Sequence, residues 1–163
     1  MTDQKYIHGI FVHYGHDHFE KNRFMIPKNR PGFNKPSGGL WASPEDAPYG
    51  WKEWNESEEY APCEETNCFR FHLSENARVL VIDSVEKAKK MLKSAPLSAE
   101  MLFLERIGMG YILPDFERLA KDYDAILYLQ SSDRRLYNAM YGWDCDSILI
   151  LAPDVVMETK KGE

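Results

Sequence analysis

No apolar run in this chain approaches the roughly 20 residues needed to cross a bilayer, and the opening Met1-Thr-Asp-Gln-Lys5 lacks the apolar core of a secretion signal. No membrane association is expected, and a cytoplasmic setting is. Cysteine is scarce. Cys63, Cys68 and Cys145 are an odd set that cannot all pair with one another, which fits a reducing compartment. Positive charge is in deficit too. The formal net charge of −6 and an isoelectric point near 5.4 argue against a general phosphate-binding surface of the nucleic-acid kind. Also missing are G-x-S-x-G, the P-loop and G-x-G-x-x-G, so hydrolase, NTPase and Rossmann readings lack their signatures. No repeat, low-complexity tract or linker divides the chain.

What is present is ordinary for a globular domain and rich in aromatic rings. Over 163 residues, 44% are hydrophobic and 28% charged, with nine Tyr, eight Phe and four Trp, so disorder is not expected. A single domain over 1–163 is long enough to bury about two-thirds of its unfolded surface. One local basic patch stands out: Lys21, Arg23, Lys28, Arg30 and Lys35 follow one another with no acid between Lys21 and Lys35.

The stretch Lys35-Pro-Ser-Gly-Gly-Leu-Trp-Ala-Ser-Pro44 is the most distinctive. Gly38 and Gly39 allow a backbone turn and a close approach. A strand that leaves them carrying Trp41 and Ser43 suits one wall of a pocket, and equally a tight turn with Trp41 in the core. Upstream, Tyr6–Tyr14 reads as the first strand, ending at Gly15. Downstream, Ser43 as N-cap and Pro44 at N1 predict a helix start, with Trp51, Trp54 and Glu58 on one face. Cys68–Leu73 alternates and Ala77–Asp83 is an apolar run, so both read as strands. A helix capped by Asp83-Ser84 follows over Val85–Lys93, ended by Ser94-Ala-Pro96. The next stretch reads as helical to Arg106 and broken by Gly108 and Gly110. Pro114 at N1 opens a helix over Asp115–Lys121. Asp124–Leu129 and Ser147–Leu151 are strands, and 158–163 is a charged, frayed tail. Six or so short strands with irregularly interspersed helices define an α+β class.

Two clusters invite a metal reading. His13, His16, Asp17 and His18 lie within six residues, but their spacing does not set two ligands on one helical face and no matching cluster follows. Cys63, Cys68 and His72 lack a fourth ligand and read as free thiols and a lone imidazole. The third cluster is Tyr141-Gly-Trp-Asp-Cys-Asp146, just before the last strand. In extended chain Asp144 and Asp146 point to the same side, where acids can hold a sugar hydroxyl or a developing positive charge; they also suit turn capping.

Together these pieces resemble the ADP-ribosyltransferase superfamily. His13-Tyr14-Gly15 is similar to its first strand, Gly39-Leu40-Trp41-Ala42-Ser43 to its second, Tyr123-Asp124-Ala125-Ile126 to its penultimate and Asp146-Ser-Ile-Leu-Ile-Leu-Ala-Pro153 to its last. The resemblance implies a split, bent, mostly antiparallel β core holding NAD⁺ as substrate in a cleft. It further implies that His13 meets the adenosine-side ribose, with Tyr14 beside it. Trp41 stacks on nicotinamide where many relatives have Tyr, and Ser43 supports that strand. Asp146, or else Asp144, holds the nicotinamide-side ribose and steadies the cationic sugar as nicotinamide leaves. Lys35 or Arg30 meets the pyrophosphate. Two departures are plain: Asp stands where the family usually has Glu, and Tyr-Gly follows His13 in place of Gly-Ser/Thr. The expected function is transfer of ADP-ribose to a macromolecule, a protein rather than a nucleic acid. The alternative is a non-catalytic module that binds a protein or nucleotide through Trp41, Trp51 and Trp54. A metal-dependent hydrolase centred on His13, His16 and His18 is the third reading.

Overall fold

A computed structural model describes residues 2–92, 99–107 and 112–160. Its strands are β1 (Phe11–Tyr14), β2 (Leu40–Pro44), β3 (Cys68–Leu73), β4 (Val79–Ile82), β5 (Ala125–Tyr128), β6 (Ser147–Ile150) and β7 (Val156–Glu158). They form one open sheet in the order β4-β5-β6-β2-β1-β3-β7. Every neighbouring pair is antiparallel except β4–β5. That exception follows from the connection, because parallel neighbours need a long crossover. This one carries α3 (Val85–Met91), α4 (Ala99–Arg106) and α5 (Phe116–Asp122). The remaining helices are α1 (Thr2–Ile7), α2 (Trp51–Glu58) and α6 (Leu136–Ala139). The class is mixed α and β, as the irregular element order predicts. No described helix is long and apolar enough to cross a membrane.

The sheet is the wall between two cores. Strands β5 and β6 are buried throughout, which explains their unbroken apolar runs, and the pleat sends alternate residues to opposite faces. Ile126, Tyr128 and Leu149 join Phe116, Leu136 and Trp143 on one side. Ala125, Leu127, Ile148 and Ile150 join Phe11, Phe69 and Phe71 on the other.

Several boundaries differ from the sequence expectation. The first strand does not begin at Tyr6. Residues 2–7 are helical, the Gly9 N–H closes back on the Tyr6 carbonyl, and pairing starts at Phe11 between Pro44 and Phe71. Nor does Pro44 open a helix, because its pairing with Phe11 holds it as the last residue of β2. Helix α2 begins at Trp51, yet the Ser43 hydroxyl still accepts the Trp51 N–H at 2.8 Å, across space and not along the chain. Asp115, not Pro114, sets the start of α5, its carboxylate accepting the Arg118 N–H at 3.1 Å. The Ser84 cap of α3 is as expected. The tail is ordered further than expected, since Glu158 pairs with Phe71 and the Thr159 N–H donates to Arg70 O at 2.9 Å. The stops at Ser94-Ala-Pro96, Gly108 and Gly110, and residues 161–163, lie outside the described residues.

Candidate functional site

Strands β1 and β2 pair only at Phe11–Pro44 and Val12–Ser43, then part. Beyond that point β1 stays with β3 and β2 stays with β6. One side chain crosses the opening: His13 Nδ1 lies 2.6 Å from the Trp41 carbonyl oxygen. Because a carbonyl can only accept, Nδ1 carries the proton, and the neutral ring offers Nε2 as acceptor to His16 Nδ1 at 3.1 Å. Burial pushes the His13 pKa below its ordinary value, which favours this neutral form; the bond to Trp41 opposes the shift and His16 adds to it.

A cleft of about 380 Å³ occupies the parting. His13, Tyr14, Lys35, Trp41, Ser43 and Asp144 all line it, together with Trp51, Trp143 and Cys145. Six of the eight residues singled out from sequence therefore meet in one place. Trp41 is half-buried, held edge-on against Trp143 with centroids 4.8 Å apart, and Lys35 Nζ stands 5.9 Å from its ring centroid. Tyr14 is pushed up to about 12, chiefly by burial, and so stays a neutral donor. The Asp144 carboxylate is half-buried and takes part in no hydrogen bond or ion pair among the described residues. It is the carboxylate that faces the cleft.

The other two occupy different positions. Gly39 (φ +76°) lines an adjoining cavity of about 330 Å³, lined also by His16, His18 and Arg23, which shares His13 and Trp41 with the cleft. A Cβ on Gly39 would come within 2.6 Å of Leu149 Cδ1, so glycine lets β2 lie against β6. Asp146 is fully buried and does not line the cleft. Its carboxylate accepts from Ser131 N–H at 2.8 Å and Ser131 Oγ–H at 2.7 Å, and its N–H donates to Tyr49 O at 2.9 Å. Burial raises its pKa, against the pull of those bonds. Arg30 lies over the Phe33 ring at 4.3 Å and lines neither cavity.

Ser43 is a clamp. Its hydroxyl donates to the Asp146 carbonyl at 2.8 Å and accepts from Trp51 N–H at 2.8 Å, tying β2 to the acidic segment and to the first turn of α2. The sequence reading assigns no role to Trp143 or Gly142. Gly142 sits at φ +96°, Trp143 Nε1–H donates to Asn34 O at 2.8 Å, and Asn34 Nδ2–H donates to Tyr141 O at 2.5 Å. The signal is local, since Gly142-Trp143 lies inside the same Tyr141-to-Asp146 cluster as the two acids. Cys145 beside them is buried, and its thiol is pushed up to about 12, mainly by that burial.

Among the described residues no group of three His, Cys, Asp or Glu side chains is placed to hold a metal ion. His16 turns to His13, and His18 Nδ1 lies 2.6 Å from Asp17 Oδ1. Cys63 and Cys68 are free thiols and His72 is exposed.

The cleft thus offers aromatic walls, a neutral imidazole, a carboxylate without a partner and a cation at its rim. Such a set can stack a flat ring, hold sugar hydroxyls and sit beside a developing positive charge. The chain matches no protein-family model, no curated protein and no solved structure.

Proposed function

We propose that this cleft binds NAD⁺ and that the protein transfers ADP-ribose from it to a protein acceptor. The observation that carries the reading is the convergence of His13, Trp41 with Ser43, and the acidic segment at the parting of β1 and β2. These are three of the four pieces that carry the sequence resemblance, and they lie on or beside strands that are neighbours in the order β6-β2-β1. Trp41 stacks on the nicotinamide ring. His13, fixed by its Nδ1–H bond to Trp41 O, presents Nε2 to a ribose hydroxyl that takes the place of His16, and Lys35 neutralises pyrophosphate charge at the rim. Asp144, not the buried Asp146, is the carboxylate in this reading. As the C–N bond to nicotinamide breaks, the ring keeps the bonding electrons and leaves neutral. Asp144 steadies the cationic sugar until the acceptor's lone pair closes on it.

A second reading has one observation in its favour. The acid nearest the family pattern, Asp146, is spent on Ser131, which suits a cleft that holds a nucleotide without turning it over. Nicotinamide release from NAD⁺ by the wild type, Asp144→Asn and Trp41→Ala separates them. Transfer predicts release that falls at least about 100-fold in Asp144→Asn, as expected for loss of an electrostatic group in the transition state. Binding alone predicts no release and a thermal shift with NAD⁺ that Trp41→Ala removes.

A further inference from the structure

Three large rings of the α2 region belong to neither hydrophobic core. Trp51 and Trp54, one helical turn apart, stack with centroids at 5.0 Å and planes 18° apart. Tyr60 closes on both, 6.3 Å from Trp51 and 5.6 Å from Trp54. It is brought there by a reversal at Glu59, which has φ 50° and is the one non-glycine residue with positive φ among those described. The Tyr60 N–H then donates to Asn55 O at 3.2 Å. Trp51 remains 36% and Tyr60 69% exposed. The result is an aromatic shelf at the surface.

The shelf lies within the most acidic stretch of the chain. Residues 51–65 contain six glutamates against one lysine, Lys52, and so hold −5 of the total −6. Glu65 is paired to Arg70 and Glu53 accepts the Gly50 N–H. Glu56, Glu58, Glu59 and Glu64 make no ion pair among the described residues. Ring faces attract cations, and a surplus of negative charge steers them in while repelling nucleic acid or acidic lipid. A guanidinium, planar and weakly hydrated, stacks on such rings better than an ammonium.

We propose that the Trp51–Trp54–Tyr60 shelf docks an arginine-rich segment of a partner protein. Trp51 belongs to the shelf and also lines the cleft, so a segment laid across α2 is delivered to the cleft mouth. That this segment is the acceptor rests on the reading of the cleft given above; the docking does not.

The test is fluorescence anisotropy of labelled arginine–serine, lysine–serine and glutamate–serine repeat peptides with the full chain, beside a thermal shift with NAD⁺. The arginine peptide is expected to bind, the lysine peptide more weakly, and the glutamate peptide not at all. Trp54→Ala/Tyr60→Ala and, separately, the surface pair Glu56→Lys/Glu58→Lys should each weaken binding at least about tenfold, as loss of a hot spot does. Neither pair lines the cleft, so the NAD⁺ shift should persist in both. Absence of arginine-peptide binding, equal affinity for lysine, or indifference to the charge reversal overturns the proposal. So does a dimer in sedimentation that both variant pairs abolish with no peptide bound, since a second copy's Lys28, Arg30 and Lys35 would then be the occupant. Peptide binding without an NAD⁺ shift upholds the docking and removes the cleft reading; the reverse pattern removes the docking alone.

Discussion

Removing the Asp146 carboxylate should unsettle the fold far more than the chemistry. Its two oxygens accept from Ser131 N–H and Oγ–H at 2.8 and 2.7 Å, with no exposure to solvent. A hydrogen bond to a charged acceptor contributes about 1.5–3 kcal/mol, and an orphaned buried partner costs about 1–3 kcal/mol. Desolvation of the carboxylate opposes this, which is why its pKa is raised. Because Ser131 is itself exposed, water can recover part of the loss in a truncated variant. The balance puts Asp146→Ala at about 3 kcal/mol, or a fall in Tm of roughly 6–12 °C for a domain of this size. Asp146→Asn keeps an acceptor for the Ser131 N–H and should cost less than about 1 kcal/mol. Urea titration of the three proteins at neutral pH measures this. The pH dependence has a definite sign. A raised folded-state pKa means stability is greatest below the ordinary carboxyl value of 3.8 and is lost as pH rises through the folded value. Asp146→Asn lacks that dependence, so the wild type should gain on it as pH falls. An alanine variant as stable as the wild type, or an asparagine variant as damaged as the alanine one, would refute the reasoning.

Gly39→Ala combines φ +76° with a Cβ 2.6 Å from Leu149 Cδ1 and 3.1 Å from Ile150 O. It should cost about 2 kcal/mol or more by urea titration; Gly32→Ala, at φ +77° but with open space around its Cβ, should reproduce only the backbone share of that loss. Since burial lowers the His13 pKa, the unfolded chain takes up a proton first, near 6.5. Stability from this group is therefore present above 6.5 and falls as pH drops toward the folded value, a slope that His13→Gln should flatten. Cys68 and Cys145 are buried and Cys63 is partly exposed. With the Cys145 thiol at about 12, a thiol reagent at neutral pH should modify Cys63 first and Cys145 only on unfolding, as peptide mass mapping would record.

Much of the sheet was legible because its strands announce themselves in two ways. Cys68–Leu73 alternates, having one face on a core, and Ala125–Tyr128 and Ser147–Ile150 are continuous because both faces are covered. The first helix was not legible, since Tyr6-Ile7 and Phe11-Val12 are equally apolar and only the partners Pro44 and Phe71 decide which of them pair. The start of α2 was misplaced for a related reason: Ser43 is a cap, but for a helix that returns to it seven residues past Pro44. In the site, glycines, the aromatic and the serine near residue 40 could be read as a wall, because short-range chemistry placed them. The choice between Asp144 and Asp146 could not. In extended chain both point to the same side, and what separates them is Ser131, in the turn after β5, which captures one carboxylate and leaves the other facing the cleft.

The measurement that bears most directly on the central claim is equilibrium binding of NAD⁺ by titration calorimetry, with Trp41→Ala and Asp144→Asn beside the wild type. The account predicts saturable one-to-one binding that Trp41→Ala weakens by about tenfold or more, the worth of one stacked ring. Asp144→Asn should bind NAD⁺ nearly as well, because its carboxylate acts mainly in the transition state. No heat of binding in the wild type, or binding untouched by loss of the Trp41 ring, would contradict it.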